Sequence, residues 1–351
     1  MKITKVDIIP FGIPIRKFAD AYAQFDTSNA VLVKIYVDDG TVGFGEACAW
    51  EPEFYGETLE SVTSSIQKYL APRLIGQNPL DISRLMSIAD SILAKSTCAK
   101  EGIDLALFDL AGRILKVPVY VLLNGCHRDS VPAACEIGIS QPDVVVENAE
   151  ELVKMGVKIL KIKCSPNIDE DVKRVKAVSE ALGDEIALRL DPNAHWNVDG
   201  TIRAMRELRG CNIQYLEQPL PAWDLSGMNE IRRRIDVPLM ADESVWSPQD
   251  VVELAKHEAA DIVNIKIAKT CGLFQAKRVE AAADAVGLPC VVGTEIEPGI
   301  SLAAKLQLAA SMKHLRFACE YTELFLLKES VLRPEIEMRN GYVKVPKGVG
   351  L

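Results

Sequence analysis

Ile159-Leu160-Lys161-Ile162-Lys163 is a short apolar run that ends on a charge, and four more runs of this design follow it. Asp191 closes Ile186 to Leu190, Glu217 closes Ile213 to Leu216, Asp242 closes Val237 to Ala241, and Lys266 closes Ile262 to Ile265. The charges are 28, 26, 25 and 24 positions apart in turn. Each step has the length of one strand, one loop, one helix and one loop. A (β/α)₈ barrel places the ends of successive strands around one mouth. Three carboxylates and two lysines are therefore expected to converge.

Working outward, strand–helix alternation begins near Val131. Strands are expected over 131–138, 159–163, 186–191, 214–217, 238–241, 262–266, 290–294 and 315–319, with helices between them such as Glu170 to Leu182 and Pro248 to His257. Strict alternation implies parallel strands, and eight of them favour a closed barrel over an open sheet. No glycine-rich fingerprint follows the first strand, and Gly43-Phe44-Gly45-Glu46 lies in a hairpin, the wrong context for phosphate binding. The first third reads differently. Residues 2–12 and a hairpin over 31–46, turning at Asp39-Gly40, make a small antiparallel sheet. Helical patterns follow near 57–72, 80–94 and 99–115. The expected division is an α+β unit over 1–125, a barrel over 126–320, and a segment 321–351 with a strand-like tail returning to the first unit.

The composition agrees. The 351 residues are 48% apolar and 25% charged, enough for a sizeable core. No apolar stretch approaches the roughly 20 residues that span a membrane, and the N-terminus reads as a first strand, not a signal peptide. A net charge of −9 with no basic run argues against nucleic acid. The nine cysteines are odd in number and scattered, and several sit in apolar stretches. They read as reduced and mostly buried, in a cytoplasmic protein. Neither they nor the four histidines show zinc spacing.

Asp191, Glu217 and Asp242 offer three hard oxygen ligands from neighbouring strand ends, a set suited to Mg²⁺. One acid at a strand end is usually a helix cap or a surface charge; three in register, with no cation, would repel one another. Lys161 and Lys163 share a strand face, and burying them is costly unless they pair or work. A neighbouring cation lowers a lysine's pKa, so Lys161 and the metal would make Lys163 a base near neutral pH. The bland alternative is that both lysines snorkel to solvent. Lys266 lies across the mouth from Lys163, so two bases flank one carbon. A proton beside a carboxylate is very weakly acidic, and a divalent cation would stabilise the enediolate formed by its removal. His195 reads more readily as a loop histidine than as a site residue, and Lys269 as part of the following loop.

Lys161-Ile162-Lys163, Asp191-Pro192-Asn193, Glu217-Gln218-Pro219, Ala241-Asp242-Glu243-Ser244 and Lys266-Ile267-Ala268-Lys269 together resemble the enolase superfamily, in its muconate-lactonising subgroup (the mandelate racemase/muconate lactonizing enzyme family). The resemblance covers essentially the whole chain. It implies an α/β fold, a modified TIM barrel of (β/α)₇β form with an α+β capping domain. It makes Asp191, Glu217 and Asp242 ligands of Mg²⁺ (or Mn²⁺) and Lys163 and Lys266 the catalytic acid/base pair. Lys161 would help hold the substrate carboxylate, and Glu297 would bond near it. The partner implied is a small-molecule carboxylate, and relatives form homo-oligomers, dimers or octamers.

The regions expected to shape the pocket are Phe18–Ser28, Trp50–Tyr55, Thr294–Gly299 and Cys319–Glu323. The acidic pair used at the last strand by Ala-Glu-type dipeptide epimerases is missing, with Cys319 and Tyr321 in its place, while Thr322-Glu323-Leu324-Phe325 is similar to muconate cycloisomerases. The leading expectation is thus a muconate-cycloisomerase-like lactonising enzyme. The alternatives are a racemase or epimerase of an N-substituted amino acid, dipeptide or betaine, an o-succinylbenzoate synthase, and a non-catalytic binding protein. Against muconate stands the lack of basic residues in the first cap loop to match a second carboxylate.

Overall fold

The computed structural model describes all 351 residues. The chain opens with β1 (Ile3–Ala19), β2 (Gln24–Val37) and β3 (Val42–Cys48), an antiparallel sheet in that order. The turn at Asp39-Gly40 forms as expected: Gly40 adopts φ 87°, and Asp39 Oδ1 accepts from the Thr41 amide at 2.8 Å. The first hairpin is longer than the sequence suggested, because β1 runs on to Ala19. Pro10 and Pro14 obscure the strand pattern, yet β1 is an edge strand, where a missing amide is tolerated. Phe18–Ser28 is therefore a hairpin tip and not an open loop. Asp20 Oδ1 closes it by accepting from the Tyr22 and Ala23 amides at 2.8 and 3.0 Å.

Helix Thr97–Leu115 packs across this sheet. Gly43 and Gly45 let it approach, since a Cβ at either would meet helix backbone at Ala106 or Gly102. The helix expected over 57–72 is divided. Leu59–Ser65, opened by a Thr58/Ser61 capping box, passes into a π turn at Ile66–Leu70 and then Ala71–Leu74, with Pro72 in its first turn.

Seven strand–helix units follow. Their strands are β4 (Ser130–Ile137), β5 (Ile159–Lys163), β6 (Ala187–Asp191), β7 (Ile213–Glu217), β8 (Leu239–Ala241), β9 (Ile262–Ile265) and β10 (Cys290–Val292). Each pairs in parallel with the next. The eighth strand, β11 (Cys319–Glu320), returns to β4 through Cys319↔Ala133 and Glu320↔Ala134. This is the modified (β/α)₇β barrel. β11 is shorter and later than the expected 315–319, and β10 and β11 share no ladder.

The tail also differs from expectation. β12 (Met338–Arg339) and β13 (Tyr342–Lys344) form a hairpin, and β13 pairs antiparallel with β4 of the barrel. Contact with the N-terminal unit comes elsewhere: Leu327 bridges Ile15, Gly350 bridges Pro118, and the Leu351 amide donates to Asp109 Oδ1 at 2.9 Å. Six of the nine cysteines are buried and all nine are free. No helix is long and apolar enough to cross a membrane.

Candidate active site

The strand ends carry the chemistry. Lys163, Asp191 and Glu217 are the last residues of β5, β6 and β7, while Asp242 and Lys266 directly follow β8 and β9. All five are buried, as is Lys161. They form an arc, Lys163–Asp191–Glu217–Asp242–Lys266, with the two lysines four strands apart. Lys163 Nζ lies 2.8 Å from Asp191 Oδ2, and Lys266 Nζ lies 3.0 Å from Asp242 Oδ2. Lys161 does not reach solvent; its ammonium meets Glu136, Asp191, Glu217 and Glu320 at 2.8, 3.2, 3.0 and 3.1 Å.

The ladder has more rungs than the five read from sequence. Glu136 is the penultimate residue of β4, Glu295 lies shortly after β10, and Glu320 ends β11. Glu136 stands 27 positions before Lys163, Glu295 stands 29 after Lys266, and Glu320 stands 25 after Glu295. That same spacing was the signal that could have found them. Asn264 was missed too; on β9, its Nδ2 donates to Glu217 Oε1 at 2.7 Å.

Glu297 is engaged by a lysine of its own. Its Oε2 accepts from Lys305 Nζ at 2.7 Å and from Thr294 Oγ1 at 3.0 Å, inside a buried cluster with Glu323. Ile296, at φ 52°, turns the chain between the two acids, so Glu295 and Glu297 do not share a face. Glu295 is the one facing Lys266, at 3.6 Å. Lys269 is not a spare loop residue: its Nζ donates to the Asp242 carbonyl at 2.6 Å and the Asn264 carbonyl at 3.1 Å. His195 sits at the rim, its ring 5.1 Å from that of Tyr22.

Second contacts hold the arc. Gln218, in left-handed backbone at φ 26°, accepts at Oε1 from the Asp242 and Ser244 amides at 3.0 and 3.2 Å. It thereby staples the end of β7 to that of β8. Backbone strain of this kind, about 1–3 kcal/mol, persists where the surroundings over-determine it. Arg189 lies beneath, its guanidinium 3.9 Å from Glu320 and 4.5 Å from the Tyr215 ring.

Burial by itself pushes carboxyls up and ammoniums down. Against it, Lys163 and Lys161 hold Asp191 down at about 2, and Lys266 and Lys269 hold Asp242 below the usual carboxylate range. Glu217 goes the other way. Burial raises it, and so do Asp191, Glu320 and Asp242, against the one helpful ammonium, Lys161. Although burial favours the neutral forms of the lysines, Asp191 and Glu136 hold Lys163 above its ordinary value, and Asp242, Glu295 and Glu51 do so for Lys266. The protein alone keeps both protonated.

A hard divalent cation fits this donor set, which is all oxygen, in negative surplus, and leaves Glu217 short of positive charge. No three acids close on one point; the lysine ammoniums are interleaved among them. Asp191, Glu217 and Asp242 are the neighbours able to share a cation if those contacts rearrange.

Comparison with known proteins agrees with this geometry. Residues 3–124 match the family described as mandelate racemase/muconate lactonizing enzyme, N-terminal domain, and residues 144–351 match the enolase C-terminal domain-like family. The N-succinyl-L-Arg/Lys racemase of Bacillus cereus is 36% identical over 89% of this chain and 85% of its own length. The chloromuconate cycloisomerase of Cupriavidus pinatubonensis is 33% identical over 96% and 91%. Among solved structures, a dipeptide epimerase from Enterococcus faecalis, complexed with Mg and the dipeptide L-Leu-L-Tyr, superposes with a TM-score of 0.94 at 31% identity, covering 100% of this chain and 99% of that one. By sequence match over both halves and by fold, the chain belongs to the mandelate racemase/muconate lactonizing enzyme family of the enolase superfamily.

Proposed function

We propose that the chain is a divalent-cation-dependent racemase or epimerase of N-substituted α-amino acids, dipeptides included. The observation that carries this is the symmetry of the arc: two buried ammoniums, each against an aspartate, at strand ends four apart around the barrel. Inverting a carbon needs one group to take its proton from one face and another to return a proton to the opposite face. Lys163 and Lys266 take those roles, which exchange between the two directions. Lys161 binds the substrate carboxylate. Asp191, Glu217 and Asp242 hold Mg²⁺ or Mn²⁺, which supplies charge stabilisation to the carboxylate as the α-proton leaves. With both aspartates so engaged, the pull that keeps the lysines protonated is reduced, and burial favours the neutral amine that a base must be. The Mg-bound dipeptide epimerase supports this reading.

Cycloisomerisation of a muconate-like diacid is the second reading, favoured by the 33% identity to the chloromuconate enzyme. It needs one lysine only. The test is to incubate the Mg²⁺-loaded protein with single-enantiomer N-acyl amino acids and dipeptides, following optical rotation, and separately with cis,cis-muconate, following its ultraviolet absorbance. Loss of rotation with muconate untouched supports the proposal. Consumption of muconate with no rotation change on any amino acid derivative rejects it.

A further inference from the structure

The cap side of the mouth is acidic and aromatic. Neither 18–28 nor 50–55 contains a lysine or arginine, yet they bring Asp20 and Glu51 inward, both buried and lying carboxyl to carboxyl. Glu243, from the loop after β8, is buried as well. Tyr22 links the groups: its amide donates to Asp20 Oδ1 at 2.8 Å, and its hydroxyl donates to Glu243 Oε1 at 2.9 Å. The other Glu243 oxygen, Oε2, has no hydrogen-bond donor although the residue is only 7% exposed.

An independent observation lies beside these acids. Tyr22 also belongs to a cluster of rings: it stands edge-on to Phe54 at 5.8 Å, and Trp246 stacks on Phe54 at 5.7 Å. Lys266 Nζ lies 4.6 Å from the Phe54 ring centroid, so this aromatic wall already receives an ammonium. That lysine is the nearest cation, and Asp242 claims it. A buried carboxylate oxygen without a donor is costly, and ring faces attract organic cations.

We propose that this region is a cation subsite. It takes an ammonium or guanidinium on the part of the substrate remote from the reacting carboxylate, through Asp20, Glu51 and Glu243 and the faces of Tyr22, Phe54 and Trp246. The proposal rests on the racemase or epimerase reading and narrows it to cationic amino-acid derivatives. A second substrate carboxylate would find acids and no basic side chain from these two segments, which disfavours diacids.

The experiment measures kcat/KM for α-proton exchange in D₂O, by proton NMR, on N-acetyl-lysine, N-acetyl-norleucine and N-acetyl-glutamate, and on Lys-Ala, Nle-Ala and Glu-Ala. The expected order in each series is cation, neutral, anion, with the cation ahead of its neutral isostere by about tenfold or more. In Asp20→Asn/Glu51→Gln and in Glu243→Gln the cation-to-neutral ratio falls toward one, while Mg²⁺ affinity of the Asp20→Asn/Glu51→Gln protein, read by calorimetry, is retained. Equal rates for lysine and norleucine congeners in the wild type overturn the subsite, and so does loss of Mg²⁺ affinity in the double variant, which would make those acids part of the metal site. Exchange on a neutral substrate without cation preference sinks the subsite alone. Absence of exchange on every substrate sinks the racemase reading itself.

Discussion

At the scale of the residue, charge explains why these side chains tolerate burial. Asp191 and Asp242 each have a lysine within 3 Å and remain ionised, whereas Glu217 shares Lys161 with three other acids. Losing a carboxylate from this arc should therefore be felt first in cation binding. Asp242→Asn is expected to weaken Mg²⁺ affinity by more than about a hundredfold, the upper end for outer-shell groups; unchanged affinity by calorimetry would remove Asp242 from the metal site. Gln218→Leu frees the Asp242 and Ser244 amides from their acceptor. It should lower Mg²⁺ affinity by about 10–100-fold, as outer-shell losses do, and titration against the wild type checks this. Much of this arc was legible in the sequence, since a charge at the end of an apolar run is conspicuous and the steps repeat. Glu136 and Glu320 follow the same steps but lie outside the motifs, and nothing local marks them. Glu297 pairs with Lys305 and Glu295 faces Lys266 because Ile296 is left-handed, which no sequence signal announces.

At the scale of the element, buried carboxylates join the cap to the barrel helices. Asp104, within helix Thr97–Leu115, accepts from the Leu273 amide at 2.6 Å, at the start of helix Leu273–Ala285. Glu46 of β3 accepts from the Gly299, Ile300 and Ser301 amides, at the start of helix Ile300–Ser311. Burial pushes Asp104 up to about 8 and Glu46 up to about 7, despite these amides. Each folded value lies above the ordinary carboxylate value of about 4. As pH falls through 8 and 7 the native chain therefore takes up protons that the unfolded chain does not, and stability rises. Asp191 acts in the opposite sense but only below about pH 4. The thermal midpoint without Mg²⁺ is expected to be higher at pH 6 than at pH 8.5, and the difference to shrink in Asp104→Asn. A midpoint that rises with pH over this window contradicts the assignment. Gly45→Ala, which drives a methyl into the helix backbone at Gly102, should cost about 1–3 kcal/mol on thermal unfolding.

At the scale of the whole molecule, the alternation of apolar runs and amphipathic helices made the barrel readable. Its seven helix-linked strands fall close to their expected places because burial on both faces demands continuous apolar runs. The eighth strand and the tail were less legible: two residues of β11 carry no periodicity, and the pairing of β13 with β4 is a long-range choice without local signal. The molecule as a whole should respond to the cation its mouth is charged to receive. Mg²⁺ at a hundredfold excess over its Kd is expected to stabilise the fold by about 2.7 kcal/mol, with removal by chelation reversing the gain; a thermal midpoint indifferent to Mg²⁺ would contradict a resident metal site. The central claim, that two lysines work from opposite faces of one carbon, is tested most directly by α-proton exchange in D₂O, starting separately from each enantiomer of a racemised substrate. The wild type should exchange and interconvert both. Lys163→Ala and Lys266→Ala should each exchange only one enantiomer, the opposite one in the two variants, and interconvert neither. Full interconversion by Lys266→Ala would contradict the account.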